Sequence, residues 1–169
     1  MDAETELYAS ELQRVLDRLC RCLDGLGKEE LNWRPPSPDT NSLFTIATHI
    51  LGNAEAWVLG IICGQPVHRD RDAEFRASGA GPLALTDRAR RLSEEFARAL
   101  GALPPSSLDE TRRPEPPLLG IGPADEMTVR EALMRVLVHA LMHIGQMQIT
   151  RDLALTAAQQ GQPRQDERR

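Results

Sequence analysis

The sequence has 169 residues, of which 41% are hydrophobic and 27% are charged, and its formal net charge is -5. This length and this balance are typical of one globular domain, because two domains would each be too small to bury an adequate core. The acidic charge disfavours nucleic-acid binding, the acidic N-terminus disfavours a secretion signal, and the longest apolar run, Ala56 to Cys63, is too short for a membrane span.

The first predicted helix covers residues 3–26. Its apolar residues recur at steps of three, four and five with charged residues between them, which is the pattern of an amphipathic helix. Gly25 and Gly27 are expected to end it. Residues 31–40 contain three prolines and cannot continue a helix, because proline lacks the amide donor and restricts the residue before it. We interpret them as a connector, with Trp33 as a candidate anchor.

Two further helices follow in the middle of the chain. Residues 42–64 are dense in apolar residues at helical spacing, which predicts a largely buried helix capped by one of the polar residues just before it. Residues 65–82 are polar and contain glycine, so we expect a loop with at most one short turn of helix. Residues 85–103 carry a third apolar stripe, for which Thr86 or Asp87 is the predicted N-cap.

The last predicted helix is the clearest in the sequence. Residues 108–126 are rich in proline and are expected to cross the surface without regular structure. Thr128 and Glu131 then have the form of a capping box, with a hydroxyl first and a carboxylate three residues later, before a long apolar run. The sequence shows no strand pattern. It therefore predicts an all-α protein, with a four-helix bundle over residues 1–155 and a polar, disordered tail over residues 156–169.

Three of the four histidines lie on predicted helices. His139 and His143 are one helical turn apart, so their imidazoles lie on one face about 6 Å apart, as in a metal-binding His-x3-His pair. His49 is near the middle of the second helix, on a strip with Asn53 and smaller residues, and is the best candidate for a third ligand. Three neutral imidazoles leave a position open for water or substrate. His68, in a polar segment, is expected to be exposed.

A structural interpretation of these histidines is also open at this stage. A lone histidine on an apolar helix face is more often a core residue bonded to a carbonyl, and for His49 alone that interpretation is the better one. The spacing of His139 and His143 fits a metal site and a structural pair equally well. Buried imidazoles need a partner for each ring nitrogen, however, and one shared metal ion meets that need. No carboxylate lies on the two helix faces that carry the histidines, here called the ligand strips, so none is placed to act as a general base. Glu55 projects about 120° away from His49.

Three segments of the chain resemble the DinB-like superfamily of metal-binding four-helix bundles, which includes bacillithiol transferases and mycothiol-dependent maleylpyruvate isomerase. Residues 31–35 look like its connector after the first helix, residues 42–55 look like its second helix, and residues 139–146 look like its His-x3-His signature with a trailing Gly-Gln. The resemblance implies an up-down-down-up bundle that forms a homodimer. It also implies a divalent transition metal, most often zinc or nickel, on three residues: His49, His139 and His143.

The resemblance further implies a metal-dependent transferase or isomerase that acts on a small molecule. In thiol-transfer members the metal binds a low-molecular-weight thiol co-substrate and lowers its pKa, so that a thiolate attacks an electrophile. Arg135, at the margin of the ligand strip, is a candidate for binding an anionic substrate, although a solvated arginine fits equally well. Asn53 and Gln146 are candidates for orienting water or the imidazoles.

A metal-dependent hydrolase and a non-catalytic metal- or ligand-binding stress-response protein stay open as alternatives. We expect a cytoplasmic protein that binds neither nucleic acid nor membranes.

Overall fold

The computed structural model describes residues 2–115, 118 and 125–161, and within these residues the chain forms six α-helices. Four of them are long: α1 (Ala3–Leu23), α3 (Leu43–Glu55, continued by a π-helix over Ala56–Ile62), α5 (Leu83–Gly101) and α6 (Val129–Gly161). Two are short and lie in the connections: α2 (Lys28–Asn32) and α4 (Arg71–Arg76). The remaining regular elements are a 3-10 helix (Pro105–Asp109) and two short strands, β1 (Thr111–Arg112) and β2 (Met127–Thr128).

The four long helices form a bundle in which each packs against two neighbours. α1 contacts α5 and α6, and α3 contacts the same two helices. The core between them is mainly aliphatic, with Leu19, Phe96, Leu133 and Ile144 among its fully buried side chains. Burial of this kind supplies most of the stability of packed helices, because the apolar stripes leave water. The predicted all-α four-helix bundle is confirmed.

Two of the long helices begin at the caps that local chemistry favours. The Ser42 hydroxyl accepts a hydrogen bond from the Thr45 N–H at the start of α3. At the start of α6 the Thr128 hydroxyl accepts from the Glu131 N–H, and the Glu131 carboxylate accepts from the Thr128 N–H. The predicted capping box is therefore confirmed.

The predicted cap of the third long helix at Thr86 or Asp87 is wrong, because α5 begins at Leu83. Pro82 precedes it with φ -79° and ψ -16°, which is already helical backbone. The proline ring sets φ near the helical value, so the helix can begin there without a side-chain cap. The Thr86 hydroxyl donates to the Leu83 carbonyl and lies inside the first turn.

The connections are more ordered than the sequence indicates. α2 ends at Asn32 and so includes the first two residues of the predicted connector. Leu31 is fully buried and anchors this segment, whereas Trp33 is only partly buried. Among the described residues the strand pairing is one short antiparallel contact, in which Thr111 is opposite Thr128.

α6 extends to Gly161, beyond the expected end at residue 155. Residues 162–169 of the predicted tail lie outside the described residues, and the domain boundary stays a prediction.

One helical segment in the described part of the chain has the length and apolar content of a membrane span. It covers Leu43–Ile62 and is longer than the apolar run that the sequence alone suggests. Of its most apolar window, 83% is buried inside the bundle. This segment is therefore the core helix of the bundle.

The connection between α3 and α5 is fixed against the bundle near the ends of α4. Before α4, the Asp70 carboxylate caps this helix by accepting from the Ala73 N–H. After it, the Thr45 hydroxyl donates to the Ala77 carbonyl, and the Asn32 side chain bonds both the N–H and the carbonyl of Gly79. α4 consequently lies against α3.

Candidate metal centre

Three histidines from two helices converge inside the bundle. α3 supplies His49, and α6 supplies His139 and His143. The Nε2 atom of His139 lies 3.3 Å from Nε2 of His49 and 3.1 Å from Nε2 of His143. One ring nitrogen from each residue lies within 4.8 Å of the other two. The structure therefore brings together the three residues that the sequence proposes as ligands, here called the His triad.

Hydrogen bonds fix the protonation of two members of the triad. The Nδ1 atom of His49 lies 2.8 Å from Oε2 of Glu74, and an ionised carboxylate only accepts, so Nδ1 carries the proton. The Nδ1 atom of His143 lies 2.7 Å from Oε1 of Gln146, which is also an acceptor. In both residues the Nε2 lone pair is therefore directed towards His139. This is the tautomer in which histidine binds a metal ion.

The geometry of the triad fits a metal ion. Two lone pairs face Nε2 of His139, whose single N–H could satisfy only one of them, whereas a cation would satisfy all three nitrogens. Nitrogens about 2.0–2.1 Å from a tetrahedral ion lie roughly 3.3 Å from one another. The observed separations of 3.3 and 3.1 Å are close to that value. Three protein ligands would leave a coordination position for water or substrate.

The electrostatic environment keeps the α6 histidines neutral. Burial lowers the pKa of His139 to about 4, and the neighbouring His143 and His49 contribute to this shift. Burial also lowers the pKa of His143. Neutral imidazoles need not release a proton before they bind a metal ion. The buried Nδ1 atom of His139 has no hydrogen-bond partner among the described residues, so hydrogen bonding orients two of the three rings.

A carboxylate that the sequence interpretation did not identify holds His49. Glu74 of α4 is 6% exposed, and besides His49 it accepts from Arg69, whose Nε lies 2.8 Å from Oε1 and whose Nη2 lies 3.0 Å from Oε2. Burial raises the pKa of Glu74, but the hydrogen bonds from His49 and Arg69 outweigh it and lower the pKa overall. Glu74 is therefore ionised at neutral pH.

Glu74 lies on α4 and not on the helices of the triad, so the projection of those helices does not predict its contact with His49. On α3, Glu55 pairs with Arg88 of α5. Glu74 comes instead from residues 65–82, which have no apolar periodicity. The available signal there was Asp70 as an N-cap, which indicates a short helix but not the direction of its side chains.

Comparison with known proteins agrees with the fold. The family model of the DinB superfamily matches residues 11–147. The chain belongs to the DinB superfamily. A DinB-like protein from Bacillus cereus ATCC 10987 superposes with a TM-score of 0.68 at 19% identity, and the match covers 88% of this chain and 91% of that one. A conserved protein from Enterococcus faecalis gives 0.64 at 18% identity, covering 92% and 99%.

A further structure, a DinB-like protein (YjoA) from Bacillus subtilis, gives a TM-score of 0.57 at 17% identity and covers 86% of this chain and 90% of that one. At these identities the likeness shows a shared fold. Among curated proteins, none matches the chain.

The other candidate residues of this DinB-superfamily protein differ in their distance from the triad. Gln146 contacts His143 as described. Asn53 is buried one turn after His49, but no described residue forms a hydrogen bond with its side chain. Arg135 is exposed, and its guanidinium carbon lies 5.9 Å from the ring centroid of Trp57. His68 is exposed, as predicted.

Proposed function

We propose that this protein is a metal-dependent enzyme that transfers or isomerises a small molecule with the help of a thiol co-substrate. The observation that carries the proposal is the convergence of three Nε2 atoms from α3 and α6. Zinc or nickel on three neutral imidazoles would keep its full positive charge and lower the pKa of a thiol in the open position. The proposal includes a cytoplasmic location, where such thiols are kept reduced.

The residues around the triad favour thiol chemistry over hydrolysis. Hydrolysis by a metal site usually needs a general base with a free acceptor. Glu74, the carboxylate in contact with the triad, already accepts from His49 and Arg69, so it is not free to take a proton from water. A thiol whose pKa is lowered by a cation has less need of a base. We further propose that Arg135 binds an anionic group of the substrate, since its charge is exposed beside Trp57.

The test of this function is an assay of thiol conjugation with and without metal. Protein loaded with zinc or nickel is incubated with bacillithiol, mycothiol or glutathione and a chromogenic electrophile. We expect conjugate to form with at least one thiol, and the rate to fall to the uncatalysed background in metal-free protein and in His143→Ala. Rates that do not depend on metal would reject the enzyme proposal in favour of a metal- or ligand-binding protein.

We also propose that the protein is a homodimer joined through one face of α6. Gly145 lies near the middle of this face, and a Cβ there would meet no atom of the described residues within 4 Å. No contact within the described protomer therefore requires the glycine, whereas close approach of a second helix would. A largely apolar exposed face is best matched by its own copy. Six exposed side chains form it: Met134, Val138, Leu141, Met142, Ile149 and Leu153.

A charge in the middle of this face should separate the protomers. Met142 is 67% exposed, and Met142→Glu would place a carboxylate in the apolar contact, where burying it without a partner is costly. We expect wild-type protein to have the mass of two chains in light scattering and Met142→Glu to have the mass of one. Leu83→Glu is the matched control, because Leu83 is 73% exposed at the start of α5 and outside this face. Equal masses for all three proteins would contradict a dimer joined through this face.

A further inference from the structure

The connection that contains α4 reaches the metal centre through one buried ion pair. The side chains of Arg69 and Glu74 are 2% and 6% exposed. Arg69 donates to both carboxylate oxygens, and its Nη1 also donates to the Leu118 carbonyl at 2.8 Å. The guanidinium group thus holds the carboxylate in one orientation, with Oε2 directed at Nδ1 of His49.

The carboxylate of Glu74 also lies directly against the backbone of α3. Gly52 is one turn after His49, and a Cβ at this position would lie 2.2 Å from Oε1 of Glu74 and 2.9 Å from its Cδ. Atoms this close would overlap, so the carboxylate can occupy its place only beside a glycine. A glycine within a helix costs about 1 kcal/mol relative to alanine. Glycine at position 52 therefore lowers the stability of α3, and the contact with Glu74 explains why a larger residue does not occupy this position.

We propose that Glu74, held by Arg69 in the gap beside Gly52, is a positioning residue that fixes His49 as the Nδ1–H tautomer and thereby sets the metal affinity of the site. The inference rests on the proposed metal-binding function. His49 is the single member of the triad from α3, so its ring must be oriented towards the two histidines of α6. A carboxylate on the far nitrogen fixes that orientation and makes the ligand nitrogen more basic. Loss of such a partner typically lowers metal affinity about 10–100-fold.

The first variant removes the charge and keeps the size of the side chain. In Glu74→Gln one carboxylate oxygen is replaced by the amide NH2, which only donates and therefore faces a donor of Arg69 or of His49. We expect the zinc dissociation constant, measured by competition with a chromogenic chelator, to rise about 10–100-fold. Glu55→Gln is the matched control: Glu55 lines the same surface cavity of about 230 Å³ as Glu74 but pairs with Arg88. Its zinc affinity should equal that of the wild type.

The second variant tests the gap itself without altering a charged residue. Gly52→Ala should displace the carboxylate and weaken zinc binding to an extent similar to Glu74→Gln. In a Glu74→Ala background the same substitution should have no further effect, because the atoms that it would displace are absent. This lack of additivity is the signature of a direct contact. If the double variant weakens zinc binding by the product of the two single effects, the two residues act independently and the proposal is overturned.

A third measurement distinguishes positioning from a merely structural ion pair. Long-range proton–nitrogen correlation spectra of metal-free protein report which ring nitrogen of His49 is protonated. We expect the Nδ1–H form in the wild type and a mixture of tautomers in Glu74→Gln. An unchanged tautomer and an unchanged zinc affinity in Glu74→Gln would overturn the positioning role and leave the metal site standing. Wild-type protein that binds no zinc, yet has the Nδ1–H tautomer, would instead contradict the proposed function and leave standing only the orientation of His49 by Glu74.

Discussion

Replacing His143 with alanine should remove most of the bound metal. The substitution takes away one of three ligands. Loss of a residue that only bonds a ligand lowers metal affinity by up to about 100-fold, so we expect loss of the ligand itself to lower it by more than that. His143 is only partly buried, and alanine favours helix, so α6 should still form. Elemental analysis after gel filtration should find close to one transition-metal ion per chain in the wild type and almost none in the variant.

The fourth histidine provides the matched control for this experiment. His68 is exposed and does not belong to the triad, so His68→Ala should retain the metal content of the wild type. Loss of metal in both variants would indicate binding through exposed histidines in general. Equal metal content in the wild type and in His143→Ala would show that the His triad does not bind the metal.

The parts of this fold that follow local rules could be predicted from the sequence. The start of α6 depends on Thr128 and Glu131, three residues apart, and the pairing of His139 with His143 depends on one helical turn. Both are properties of a single helix. The position of His49 opposite that pair required the family resemblance, because spacing along the chain does not determine how two helices pack.

The features that the sequence interpretation missed depend on tertiary contacts. Glu74 bonds a residue 25 positions earlier, from a polar connection without periodicity, and Arg69 completes the contact from the same connection. Gly52 looks like an ordinary small residue on a buried helix until the carboxylate beside it is known. The early start of α5 at Leu83 was missed for a local reason, since Pro82 replaced the expected polar cap.

Removing the metal should lower the melting temperature of the wild type by roughly 10 °C. His49 belongs to α3 and the other two ligands belong to α6, so the ion joins two helices that come together only in the folded state. A ligand specific to the folded state, at a free concentration 1,000 times its dissociation constant, adds about 4 kcal/mol to the free energy of unfolding. In a domain of this size, 1 kcal/mol corresponds to about 2–4 °C.

Thermal unfolding followed by circular dichroism, with metal or with a chelator in excess, measures this effect. His143→Ala should melt at the same temperature in both conditions, because it has little metal to lose. An equal chelator-induced decrease in both proteins would mean that the chelator acts elsewhere than on the triad. A wild type that melts at the same temperature with and without metal would show that the ion does not connect α3 to α6. A decrease confined to the wild type would instead identify the triad as a link between these two helices.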